Sequence, residues 1–265
     1  MSITTEAVVV LHGGGTDSHV LAWQMHKMGC DVHIIWFNIG QANAEDQLRG
    51  AQFTTRRIIA DGGTATLNTQ TVPALFTRLL GPYKSRVAQL NPEAEVVDVT
   101  VAQHEEVFDN LGENASYAEC PGFGWVPGRN GFFLFTAAIF AAARGIYRVL
   151  WGINSEIPSL KETRWQPFTA GDDMWFPFLE GLNRWLPSAI GHPVEVVSPY
   201  IHNTKYEVMK MGLALGLTVD GDYAHLWSCE HTPRCWKCQQ CHHMVDLYNA
   251  LGQWPEWFPE DKKHD

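Results

Sequence analysis

Four of the six cysteines crowd into one short stretch, Cys229-x5-Cys235-x2-Cys238-x2-Cys241. Four thiolates at this spacing can close a tetrahedral Zn2+ site. Such a site has no open position, so the metal would be structural and not catalytic. In a reducing compartment, clustered cysteines point to a metal before disulfides. An iron–sulfur cluster is chemically allowed, but the spacing favours it less. Cys238-Gln-Gln-Cys241-His242 also fits a haem-attachment pattern, which would leave Cys229 and Cys235 without a role. His231, His242 and His243 are substitute ligands in principle and read more plainly as solvated histidines or hydrogen-bond partners of the ligands. Cys30 and Cys120 stand alone, and Cys30 is expected in the core.

The second chemical signal is the run His12-Gly13-Gly14-Gly15-Thr16-Asp17-Ser18. Glycines permit positive φ and let a ligand approach the backbone. Successive N–H groups at the start of a helix form an anion nest, and a pyrophosphate is its natural guest. The run lacks the Lys-Ser/Thr of a Walker A loop and the spaced glycines of dinucleotide folds. Its plainer reading is a tight strand-to-helix turn with Asp17 or Ser18 as N-cap.

These residues need a scaffold, and the first 60 residues or so supply one by alternating strand and helix. Ala7–Leu11 is a wholly apolar, β-branched run, as expected of a strand buried on both faces. Asp17–Met28 carries helical spacing and stops at Gly29. Val32–Phe37 is a second buried strand, and Gln47–Ala60 a second helix. Tight strand–helix–strand connections imply a parallel sheet with right-handed crossovers. Residues 68–128 hold five prolines and no sustained period, although Glu95–Val101 could form a short strand. Beyond them the sequence predicts a helix over Gly131–Arg144, a strand over Arg148–Gly152, a helix within Asp172–Leu186 and a strand over Val194–Ser198. Thr204–Leu215 is a helix opened by a Thr204/Glu207 capping box and ended by Gly216.

Composition narrows the function classes. Hydrophobic residues make up 45% and charged residues 18% of the 265, so the chain has ample core material. A net charge of −10 argues against a broad DNA- or RNA-binding face. No apolar stretch reaches the roughly 20 residues that span a bilayer, and the N-terminus lacks a signal-peptide pattern. A cytoplasmic location, with no nucleic-acid or membrane partner, is the expectation.

Taken in order, the motifs resemble the 7-cyano-7-deazaguanine synthases (QueC), a branch of the PP-loop ATP pyrophosphatases. Gly13–Ser18 resembles the PP-loop S-G-G-x-D-S, and Gly40-Gln41 the G-Q after the family's second strand. Val126-Pro127-Gly128-Arg129-Asn130 with Phe132-Phe133-Leu134 resembles V-P-G-R-N-x-x-F-L. Gly152-Ile153-Asn154 resembles G-V-N, and Thr204-Lys205 the family's T-K. Trp227-Ser228-Cys229 with the later cysteines resembles its terminal zinc motif, with a shorter first spacing. The resemblance implies a Rossmann-like α/β fold of the adenine nucleotide alpha hydrolase type. That fold is a doubly wound parallel sheet with a C-terminal four-cysteine zinc segment, divided here at about 1–220 and 221–265.

The resemblance also implies a reaction. ATP with Mg2+ would adenylate 7-carboxy-7-deazaguanine, ammonia would give the amide, and a second activation would dehydrate it to the nitrile. A carboxylate is a poor electrophile, and adenylation supplies the leaving group. The nucleotide-binding set it implies is His12, Gly13, Gly14, Gly15, Thr16, Asp17, Ser18, Phe37, Asn38, Gly128, Arg129 and Asn130. Asp17, Ser18, Lys205 and Arg129 are its catalytic set, with Lys205 and Arg129 as cations facing the pyrophosphate. Asp17 either caps the helix or reaches a metal ion, and an adenine would lie by Trp36–Asn38. A homodimer is part of the same expectation.

Three departures stand out. Gly13 replaces the opening serine of the PP-loop, and Asn38 and Ile39 replace an aspartate and a tyrosine. The Y-P-D-C-R stretch that follows G-V-N in the family is absent; Ser155–Arg164, with Glu156, Lys161 and Arg164, stands there instead. They open a second reading, an antiviral-system relative that joins a deazaguanine to a protein amine through the same adenylate. A tRNA-thiolating PP-loop enzyme and a zinc-stabilised nucleotide-binding pseudoenzyme are lesser alternatives.

Overall fold

The computed structural model describes residues 6–39, 41, 43–71, 129–154, 176–229, 233–236 and 239–263. Five parallel strands form one sheet: β1 (Ala7–Leu11), β2 (Asp31–Asn38), β3 (Ala65–Thr71), β4 (Arg148–Trp151) and β5 (Glu195–Val197). The order is β3-β2-β1-β4-β5. The chain therefore winds outward from β1 in one direction, then returns to the other side of β1 and winds the opposite way. This is the doubly wound α/β arrangement that the alternating apolar runs imply.

The sheet is buried on both faces because its inner strands are mostly apolar: all of β1, Val32, Ile34, Ile35, Trp36 and Phe37 of β2, and Val149, Leu150 and Trp151 of β4. Val8 and Val10 of β1, Val32, Ile34 and Trp36 of β2, and Leu150 of β4 face one core. Val9, Leu11, Ile35, Phe37 and Val149 face the other. Helices α1 (Thr16–Lys27), α2 (Ala44–Ala60), α5 (Lys205–Ala214) and α6 (Gln239–Leu251) contribute to the first core. Helices α3 (Arg129–Ala142) and α4 (Phe176–Ile190) cover the second. In α3 the buried residues Leu134, Ala137, Ala138 and Ala141 recur at i, i+3, i+4 and i+7, one helical stripe. The Asn183 side chain of α4 donates to Val196 O and accepts from Val196 N, both at 2.8 Å. It thereby occupies backbone groups of the edge strand β5 that would otherwise offer a pairing template.

The helix and strand expectations hold with shifts of a few residues, and α2 begins one turn early, at Ala44. The capping box at Thr204 forms both of its hydrogen bonds. One expectation is corrected. Neither Asp17 nor Ser18 caps α1: the N-cap is Gly15, with no side-chain cap bond, and the Ser18 hydroxyl donates to Gly15 O at 3.1 Å. Cys30 is only half-buried, against the first core. Strand β3 and helix α6 were not anticipated. The suggested strand at Glu95–Val101 lies outside the described residues, as do Gly40, Cys120, Gly128, Ser155–Arg164, His231 and Cys238. Among the described residues, no helix is long and apolar enough to cross a membrane.

Candidate active site

Strand β1 runs one residue past its apolar core: His12 N–H still donates to Ile35 O of β2 at 2.9 Å. The chain then turns sharply. Gly14 has φ +78°, and a Cβ there would lie 2.4 Å from Gln47 Cα of α2. Across the contact, a Cβ on Gly50 would lie 2.4 Å from Gly14 O. Two glycines on different elements thus allow α2 to press against the turn. Helix α1 follows, and its first hydrogen bond runs from His19 N–H to Gly15 O at 3.2 Å. The N–H groups of Thr16, Asp17 and Ser18 therefore have no intrahelical acceptor and point out of the positive end of the helix.

This turn lies at the reversal of the strand order, between β1 and β4. In open α/β sheets, ligands bind at that crevice, beyond the carboxyl ends of the strands. Gly152, just past β4, packs so closely that a Cβ would lie 3.0 Å from Ser18 N. Asn154 follows it, and Ser198 after β5 donates its hydroxyl to Ile153 O at 3.0 Å. Thr204 caps α5, which packs on α1, and Lys205 is the first residue of that helix. Lys205 is buried, and its Nζ lies 3.6 Å from Asp17 Oδ2. It is not a surface lysine. The buried Asp17 Oδ1 has no hydrogen-bond partner among the described residues. Since Asp17 is not the cap, one carboxylate oxygen remains for a ligand such as a cation.

His12, Thr54 and His19 form a wholly buried polar cluster behind the turn. His12 Nδ1 accepts Gly14 N–H at 2.9 Å, and its Nε2 contacts Thr54 Oγ1 at 2.9 Å. His19 Nδ1 contacts the same Oγ1 at 2.8 Å, and Thr54 donates to Gly50 O at 3.0 Å. Burial lowers both histidines to about 3, aided by their charged and imidazole neighbours. Both rings are neutral near pH 7.

The C-terminal segment closes over the other side. Trp227 N–H donates to Gly14 O at 3.1 Å, and Asn43 Nδ2 at the start of α2 donates to Cys229 O at 2.7 Å. Arg234 lies over the rings of Trp227, Trp236 and Trp257, with its guanidinium carbon 4.1 Å from the Trp257 centroid. The sulfurs of Cys229, Cys235 and Cys241 lie within 4.8 Å of one another. Two of the separations are 3.6 and 3.9 Å. Thiolates about 2.3 Å from a common tetrahedral ion sit about 3.8 Å apart, so this trio could hold a single metal ion. Trp236, directly after Cys235, adopts φ +61°, a conformation that bulky residues rarely accept. Packing of its ring against Trp257 and Phe258 holds it there.

Arg129 and the buried Asn130 open α3. Phe37, at the carboxyl end of β2, stacks on Phe133 with centroids 4.4 Å apart, so the first turn of α3 lies at this same edge of the sheet. The rings of Trp36 and Phe37 are both buried in the cores, whereas Asn38 is half-buried at the rim. The Gln41 side chain shapes the following loop by accepting Ile39 N–H at 2.8 Å and donating to Phe37 O at 3.2 Å and Gln47 Oε1 at 2.9 Å.

A family model described as "Queuosine biosynthesis protein QueC" matches residues 6–251. The chain belongs to the QueC family. Curated relatives agree in length as well as in sequence. The 7-cyano-7-deazaguanine synthase of Methanosphaerula palustris is 27% identical over 250 residues, 92% of this chain and 95% of its own. That of Pseudoalteromonas translucida is 24% identical over 252 residues, 93% and 95% of the two chains. Among solved structures, a predicted subunit of tRNA methyltransferase from Methanocaldococcus jannaschii superposes with a TM-score of 0.40 at 14% identity, covering 97% of this chain and 94% of that one.

For this QueC-family chain, the fold gathers Gly13–Ser18, Lys205 and Gly152–Asn154 around one crevice. Through Trp227 and Cys229 it also ties the cysteine segment to the turn and to the start of α2. Asn43, Thr54, His19 and Trp227 also hold the turn, and sequence reading did not single them out for it. His19 and Thr54 did carry a faint signal, being polar residues that fall on the buried sides of their helices.

Proposed function

We propose that this chain is an ATP-dependent enzyme that activates 7-carboxy-7-deazaguanine and carries it, through the amide, to 7-cyano-7-deazaguanine. The observation that carries the reading is the glycine turn at the strand-order reversal, with buried Lys205 paired to half-buried Asp17 against it, in a QueC-family chain. The amides of Thr16–Ser18 and the Lys205 ammonium supply positive charge where pyrophosphate would leave. Arg129 supplies a second cation, while Asn38, Asn130 and the backbone after Phe37 border the space for the nucleoside.

The substrate carboxylate attacks the α-phosphorus of ATP, and pyrophosphate departs with the bonding electron pair. Ammonia then attacks the acyl carbon and AMP leaves, giving the amide. In the second round the amide oxygen attacks the α-phosphorus of another ATP, and a second pyrophosphate departs with the bonding electron pair. AMP then departs with that oxygen as the nitrogen gives up its protons, leaving the nitrile. Mg2+ would neutralise the phosphates, and the free Oδ1 of Asp17 fits it. A zinc ion fits Cys229, Cys235 and Cys241, with Cys238 as fourth thiolate, and would be structural. A [4Fe–4S] cluster, whose cysteines each bind a different iron, needs sulfurs farther apart than these. The 221–265 segment would then be a zinc-binding segment packed on the 1–220 ATP-binding domain, and a homodimer remains part of the proposal.

One sequence feature favours a second acceptor: Ser155–Arg164 replaces the stretch that follows G-V-N in the family. A protein amine could take the place of ammonia at the same adenylate. The deciding experiment is mass spectrometry of small molecules after incubation with ATP, Mg2+, 7-carboxy-7-deazaguanine and ammonium. Free nitrile is the expected product. AMP with a persisting adenylate or amide would replace the nitrile reading by the conjugating one. Absence of substrate-dependent AMP would overturn both.

A further inference from the structure

The amide of Gly14 points away from the crevice. Its N–H donates to His12 Nδ1 at 2.9 Å, which removes it from the set of groups that can meet a phosphate. The Gly14 carbonyl is equally fixed, by Trp227 N–H at 3.1 Å. Both peptides that flank Gly14 are thus held by groups outside the turn, and α2 leaves no room for a side chain there.

His12 can do this in only one protonation state. An imidazole nitrogen that accepts an amide N–H must be bare, so the ring proton sits on Nε2. That proton is donated to Thr54 Oγ1, 2.9 Å away. Thr54 lies four residues after Gly50 on α2, and its hydroxyl donates back to Gly50 O. Gly50 in turn backs onto Gly14 O. The contacts close a ring from His12 through Thr54 and Gly50 to Gly14 and back to His12. The ring ties the turn to α2 without using any donor that faces the crevice.

We propose that His12 is a positioning residue for the anion-binding amides. It pulls the Gly13–Gly14 peptide inward, so that the chain enters α1 with the N–H groups of Thr16, Asp17 and Ser18 converging on the crevice. His12 does not touch the ligand, since it is buried and both of its nitrogens are engaged. The functional consequence rests on the reading above that the turn holds the phosphates of ATP.

The two nitrogens can be deleted separately. Asn places an amide oxygen near the position of Nδ1 but does not reach Thr54. Gln reaches the position of Nε2 but offers Gly14 no acceptor. Phe fills the space and does neither. The test compares His12→Asn, His12→Gln and His12→Phe with the wild type by two measurements. One is hydrogen exchange at the Gly14 amide without ligand. The other is affinity for a non-hydrolysable ATP analogue, together with KM for ATP and kcat. The expected result is protection and affinity near wild type in His12→Asn. In His12→Gln and His12→Phe, Gly14 protection is lost and affinity falls about tenfold, the worth of one hydrogen bond, with KM rising more than kcat falls. Affinity that follows the thermal stability of the variants, or wild-type affinity in His12→Phe, overturns the proposal. If the wild type itself fails to bind the analogue, the ATP reading falls, and Gly14 exchange alone then decides whether His12 orders the turn. Should the variants fail to fold, nitrogen NMR of wild-type His12 decides: a proton on Nδ1 overturns the assignment.

Discussion

Within the glycine turn the three glycines are not equivalent. Gly14 has positive φ and no room for a side chain, whereas a Cβ on Gly13 would meet nothing within 4 Å. Glycine at position 13 is therefore not imposed by packing, and the hydroxyl of the PP-loop pattern could stand there without displacing a neighbour. Gly13→Ser is expected to leave stability within about 0.5 kcal/mol of wild type. It should also tighten the ATP analogue by up to about tenfold through one added donor. Titration calorimetry checks this, and weaker binding would show that position 13 does not face the phosphates. Lys205 and Asp17 differ from Gly13 in being locked together, at 3.6 Å and largely out of water. Desolvation raises the value of such a charge to an incoming anion, as it raises the cost of leaving it unpaired.

The same residue type has opposite effects on two helices, according to what lies beside it. On α2, a methyl group at Gly50 would be 2.4 Å from Gly14 O, so helix and turn must part. On α4, Gly181 is exposed, with nothing within 4 Å of a Cβ there. Gly181→Ala should raise stability by up to about 1 kcal/mol from helix propensity. Gly50→Ala gains the same propensity but is expected to lose about 1–3 kcal/mol to overpacking, and with it the affinity for nucleotide. Urea unfolding of the two variants separates propensity from contact, and equal effects would mean that α2 does not bear on the turn. This difference also explains what was legible in the sequence. Strands β1 and β2 stood out because burial on both faces makes their interior positions apolar, with His33 of β2 the exception. Strand β3 (ATLNTQT) pairs only with β2 at the sheet edge, is mostly polar, and so resembles a loop. Helix α6 was hidden because Cys241, in its first turn, reads first as a ligand. The glycine run announced the turn, but the His12–Thr54–His19 cluster joins residues 42 and 35 positions apart and exists only once the fold has formed.

Over the whole molecule, two cores meet at a sheet whose middle strand ends in the glycine turn, and the turn rests on buried neutral histidines. His12 and His19 titrate at about 3 in the fold, against an ordinary 6.5, because burial penalises the imidazolium. A lowered histidine pKa means that the unfolded chain binds more protons, so stability rises with pH between those values and falls as pH drops below about 6.5. Two such groups give a slope approaching about 2.7 kcal/mol per pH unit well below 6.5 and almost none above 7.5. Asp61 acts in the same direction but lower, since its bonds to Lys27 and His26 hold it at about 2 against 3.8. Its contribution is lost only as pH falls below about 4. Acid also strips metal from thiolates, which would destabilise the C-terminal segment in the same range. The two causes separate in His19→Gln, which removes one titrating group and leaves the cysteines intact. Urea midpoints at pH 7.5, 6.5, 5.5 and 5.0 should fall steeply in the wild type and with about half the slope in the variant. Equal slopes would assign the acid sensitivity to metal release, and a flat wild-type profile would mean that the histidines behind the turn are reached by protons without unfolding.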